Sequence, residues 1–105
     1  MAKMVNFLGV NCKVVKHKYS NNGRTALELV IAEDDEEREM FKGEPMTSAT
    51  INITEVPLAV DEVVIKDYSE NAGLLDALLK AGIVEKTGRT VQHGFCESHI
   101  CVVCI

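Results

Sequence analysis

One stretch of this chain, residues 66–84 (KDYSENAGLLDALLKAGIV), places apolar side chains at helical spacing, and the other apolar runs are strand-like. Leu74, Leu75, Leu78 and Leu79 fall at i, i+1, i+4 and i+5, a stripe along one side of a helix. Gly82 follows Ala81 directly, where a helix can end on a left-handed residue that glycine adopts without steric cost. Such a stop lets Ile83 fold back on Leu78. The start has several candidates. Asp67 with Glu70 three residues on fits a capping box, and Ser69 and Asn71 are also good N-caps. The pattern predicts one helix over about residues 69–81, whose Leu face the strands need to close a core.

Residues 4–8 form a short β-prone run, and residues 9–11 supply a turn. Residues 12–19 (CKVVKHKY) alternate loosely, with Val15 grouped with Cys12 or His17 and with Lys16 and Lys18 opposite. Asn21-Asn22-Gly23 predicts a tight hairpin, because Asn-Gly supplies two positive-φ positions. Residues 25–32 return as the partner strand, giving a three-stranded meander. After the loop 43–45, residues 46–54 alternate Ala49, Ile51 and Ile53 with Ser48, Thr50, Asn52 and Thr54, a half-buried strand that Pro57 ends. Residues 62–66 lead into the helix, and Thr87-Gly88-Arg89 makes a turn after it. Residues 90–105 read as one or two final strands, interrupted near Gly94 or Ser98. The expected fold class is α+β: an antiparallel sheet of five or six strands with the helix packed on one face.

With 105 residues the chain has room for a single domain, residues 1–105. The apolar run at the start is too short for a signal peptide, and no run approaches the ~20 apolar residues of a membrane span. A cytoplasmic setting follows, in which the four cysteines stay reduced. Charge is unevenly placed. Residues 1–24 carry a net +5 and residues 25–105 a net −10. The sum disfavours direct nucleic-acid or membrane binding.

The segments YSNNGR with TALEL, GEP with ATINI, DEVVIKDYSENAGLLDALLKAGIV and TGRTVQHGF occur in that order. Over residues 19–95 the chain resembles an uncharacterised family of small bacterial proteins, a domain of unknown function common on phages, plasmids and integrative elements. The DYSEN…G…L…GI…TGR string is its most specific part. The resemblance implies an accessory role in a mobile-element setting and makes antagonism of a bacterial defence system more plausible than housekeeping metabolism. It brings no catalytic residues.

Residues 33–39 (EDDEERE) hold six acids and one Arg, too much like charge to bury. They form either a solvated loop or a surface of carboxylates, Glu33, Asp34, Asp35, Glu36, Glu37 and Glu39, that imitates a nucleic-acid backbone toward a basic host protein. Consecutive acids do not suit a calcium loop. Cys96, His99, Cys101 and Cys104 have zinc-ligand chemistry, and the last two have CxxC spacing. Against zinc, Val102-Val103 between them favours a strand, which points positions i and i+3 to opposite faces. His17 or His99 as base and Cys12 or Ser98 as nucleophile lie at no spacing that joins them, so no catalysis is expected. Lys13, Lys16 and Lys18 form a solvated strand face. The leading expectation is a non-enzymatic inhibitor of a nucleic-acid-targeting defence enzyme. The alternatives are a zinc-stabilised module and an accessory protein that dimerises through edge strands.

Overall fold

The computed structural model describes residues 3–105. Its strands divide into two four-stranded sheets, a correction to the single sheet of five or six strands. The first sheet runs β1 (Lys3–Phe7), β2 (Val10–Lys18), β3 (Thr25–Ile31), β4 (Pro45–Ser48), in that spatial order. The second contains β5 (Thr50–Ile51), β6 (Glu62–Ile65), β7 (Val84–His93) and β8 (Cys96–Val103), in the order β5-β6-β8-β7. All pairings are antiparallel, and one helix, α1 (Leu74–Lys80), completes an α+β fold.

The sheets part at Ala49, inside the run that alternates as one strand. The Ala49 N–H donates to Leu27 O at 2.9 Å, while its own carbonyl accepts from the Lys66 N–H at 2.9 Å. A strand that changes sheets at a corner lets one chain serve two layers. Buried Thr50 secures the corner, since its Oγ1 accepts from the Leu27 N–H at 3.2 Å and meets the Tyr19 hydroxyl at 2.8 Å.

Val5, Phe7, Cys12, Val14, Leu27 and Leu29 from the first sheet share one buried cluster with Val63, Ile65, Cys101 and Val103 from the second. The helix lies against β1 and β7 and adds Leu74, Leu75 and Leu78 to that cluster. Leu79, expected in the stripe, is only half-buried. Fully burying each such Leu contributes about 1.5–3 kcal/mol.

The helix stops as the sequence predicts. Gly82 takes φ +72°, its N–H donates to Leu79 O at 3.1 Å, and the Ile83 N–H donates to Leu78 O at 3.0 Å. This pair of bonds satisfies two orphan carbonyls of the last turn. The start is later than expected. Gly73 at φ +92° separates a 3-10 turn, Ser69–Asn71, from α1. The capping box does not form: Glu70 pairs with Lys66, and the Asp67 carboxylate caps the Leu75 N–H at 2.9 Å. Asn71 is no cap either. Fully buried, it accepts from the Thr47 hydroxyl at 2.7 Å and donates to Ser48 O at 2.8 Å, tying the turn to β4.

Three turns differ from expectation. Leu8 and Gly9, at φ +54° and +77°, form the β1–β2 reversal, which places a Leu in a region disfavoured for L-residues. The β2–β3 connection is a loop over residues 19–24 in which, of Asn21, Asn22 and Gly23, only Gly23 has positive φ. Residues 87–89 are an irregularity within β7, not a turn; the reversal comes at residues 94–95. That irregularity aims Arg89 across β8 at Glu62 of β6. The hydrogen bond from Arg89, with the Ala59 N–H at 2.9 Å, holds the Glu62 carboxyl below the usual carboxylate range.

Candidate functional site

Like charge keeps residues 33–39 out of the core, yet the segment is not loose. It joins β3 to β4 and is hydrogen-bonded along both stems. Ile31 donates to Glu44 O at 2.8 Å and Gly43 donates to Ile31 O at 2.9 Å. Further out, Asp35 and Met40 exchange both backbone bonds, at 2.7 and 3.0 Å. The Glu39 N–H closes a turn on Glu36 O at 3.2 Å, and Glu39 takes φ +56°.

The six predicted acids separate into two roles. The Asp34 carboxylate accepts from the Lys42 N–H at 2.8 Å, and the Asp35 carboxylate accepts from the Arg38 N–H at 3.3 Å. Asp35 therefore caps a turn of the loop, and Asp34 ties one stem of the loop to the other. Glu33, Glu36, Glu37 and Glu39 are exposed, and their side chains make no hydrogen bond or ion pair among the described residues. Arg38, the one cation in the run, is half exposed and makes its polar contacts with neighbouring backbone and Asp35. Its guanidinium lies 3.6 Å from Asp35 and donates to Leu8 O at 3.4 Å. A Cβ on Gly9 would stand 3.3 Å from its Nη2, so the absence of a side chain there permits the approach. The loop is thereby held against the β1–β2 turn, with a concavity of about 340 Å3 between residues 9–11 and 33–37. With Arg38 paired to Asp35, the field around the run is dominated by its remaining carboxylates.

The other predicted sites are not assembled. Alternation along β8 puts Cys96 on the opposite face from His99 and Cys101, and Cys104, beyond the strand, is exposed while Cys101 is buried. The zinc set is thus a correction: its side chains do not converge, and no group of three His, Cys, Asp or Glu among the described residues could hold a metal ion. Cys12 faces the core and His17 the outer side of β2, where it lies 3.4 Å from Glu28, so no Cys–His pair forms. Sequence reasoning missed one Ser–His contact, His93 Nε2 to Ser98 Oγ at 2.8 Å. The pairing of Val91 with Ser98 and His93 with Cys96 brings it about, which only the β7–β8 register reveals. Ser98 is 2% exposed, which denies its hydroxyl to a substrate.

Burial pushes the Cys101 thiol up to about 11, against a smaller opposing pull from Lys86, and raises Cys12 as well. We expect Cys104 to react at once with a thiol reagent at neutral pH, and Cys12 and Cys101 only after denaturation. Counting labelled thiols by mass spectrometry checks this. Immediate modification of all four would contradict the packing.

No family model matches the chain, and neither a curated protein nor a solved structure matches it. Among the described residues, no helix is long and apolar enough to cross a membrane.

Proposed function

We propose that this chain is a non-enzymatic binding protein of a phage or mobile element. It docks its acidic loop on the basic nucleic-acid-binding surface of a host cytoplasmic protein and inhibits a nucleic-acid-targeting defence enzyme such as a CRISPR effector. The observation that carries the reading is the presentation of Glu33, Glu36, Glu37 and Glu39. Four carboxylates with no ion-pair partner among the described residues project from a loop whose backbone is already ordered by hydrogen bonds. A preordered loop loses less conformational entropy on docking than a disordered acidic tail would. Clustered negative charge also steers encounter with a basic groove. The mobile-element setting rests on the resemblance of the DYSEN…TGR string.

The reading predicts competition. Purified CRISPR effectors should bind fluorescent target nucleic acid more weakly when this protein is added. The loss should be relieved by excess nucleic acid and should be absent with Glu33, Glu36, Glu37 and Glu39 all changed to Gln. Equal inhibition by that variant would remove the loop from the mechanism. No effect on any effector would remove this class of partner.

A further inference from the structure

The inner face of the first sheet is covered by the helix and the second sheet, and among the described residues no strand or helix packs on its outer face. On that face the β1–β2–β3 register sets Met4 beside Lys13 and Lys13 beside Val30, with Val15 two residues along the same strand. Met4 is 49% exposed, and Val15 and Val30 are half-buried. These residues, with Lys42 and Gly43 closing one side, line a groove of about 390 Å3. Its floor is apolar, and its two cations, Lys13 and Lys42, have no carboxylate partner among the described residues. Phe41, immediately before Lys42, is 47% exposed. Apolar surface of this kind beside unpaired ammonium groups fits an acidic segment that also carries an apolar side chain.

This chain holds such a segment. Residues 36–41 offer Glu36, Glu37, Glu39 and then Phe41, and the loop adjoins the groove directly, because the Lys42 amide is bonded to Asp34 and Gly43 to Ile31. The acidic loop and the basic groove are therefore neighbours in the fold, joined through Lys42 and Gly43. A two-fold axis between them would lay the loop of each copy on the groove of the other, making the same contact twice. That is the condition for a closed, isologous dimer. We infer that the outer face of the first sheet is the interface of a homodimer, in which the Glu36–Glu37 side of each loop meets Lys13 and Lys42 of the other copy. This contact differs from edge-strand pairing. It uses the same Glu36 and Glu37 that the proposed function presents to a host protein, so host docking requires the dimer to open; the test below contains no host component.

Sedimentation of the full chain should give a mass near twice 11.5 kDa in dilute buffer. The dimer should weaken by about tenfold or more in about 1 M salt, where the Debye length is only about 3 Å. The decisive experiment is a charge swap. Lys13→Glu with Lys42→Glu makes both halves acidic, and Glu36→Lys with Glu37→Lys makes both basic. Each variant alone should be monomeric with an unchanged circular dichroism spectrum, and an equimolar mixture should form the dimer again. The inference is overturned if the wild-type chain stays monomeric up to about 100 µM, weaker than most specific contacts. It is equally overturned if the single variants dimerise like wild type, or if the mixture fails to restore the dimer. Misfolding of the reversed variants is covered by Phe41→Ser, which should weaken the dimer about tenfold and must not leave it unchanged.

Discussion

Leu78→Ala should lower the unfolding free energy by about 2–5 kcal/mol, the range for truncating a buried Leu and leaving a cavity. Leu78 is fully buried, on the helix that lies between β1 and β7, and its carbonyl accepts the Ile83 amide at the helix stop. A domain of this size has roughly 5–15 kcal/mol in total, so the substitution removes a large share of it. The melting temperature should fall by roughly 10–20 °C. Val60→Ala is the control, because Val60 is 88% exposed and its truncation should stay within about 0.5 kcal/mol. Urea denaturation of the three proteins checks the ranking. Equal midpoints for Leu78→Ala and Val60→Ala would contradict the packing of the helix.

The helix stop was legible because it is local: Ala81-Gly82-Ile83 carries its own geometry, and the bonds on Leu78 and Leu79 follow from it. The helix start was less so. Asp67, Ser69, Glu70 and Asn71 are all capping residues by type, but Gly73 sets the boundary, and the polar side chains serve tertiary partners instead. The division of the strands was hidden for a related reason. Alternation has the same period on both sides of Ala49, so the run through residues 46–54 gives no sign that its backbone partner changes from Leu27 to Lys66. Residues 87–89 carry turn chemistry, yet Gly88 at φ +89° serves a bulge, since β8 continues opposite it.

At the candidate site, the charge was legible and the architecture was not. Six acids in seven residues announce exposure. Like charge alone does not distinguish Asp34 and Asp35, which accept backbone amides of their own loop, from Glu33, Glu36, Glu37 and Glu39, which face solvent; that division depends on where the loop backbone brings its amides. The tail was legible in one respect. Val102-Val103 favours a strand, and the strand separates Cys101 from Cys104.

The second large effect concerns binding. Changing Glu33, Asp34, Asp35, Glu36, Glu37 and Glu39 to their amides removes six negative charges from one loop and leaves hydrogen-bond acceptors at Asp34 and Asp35. Even at the few tenths of a kcal/mol typical of each exposed pair, six together should weaken a charge-steered complex by about 100-fold in dilute salt. The difference from wild type should shrink as salt rises, since screening acts on the same term. Affinity capture from a bacterial lysate containing representative defence effectors makes this measurement, with wild type and the six-amide variant run in parallel at low and moderate salt. The account predicts one nucleic-acid-processing enzyme retained by wild type at low salt, released as salt rises, and lost with the variant. Retention of the same enzyme by both proteins, or capture of nothing specific by either, would contradict it.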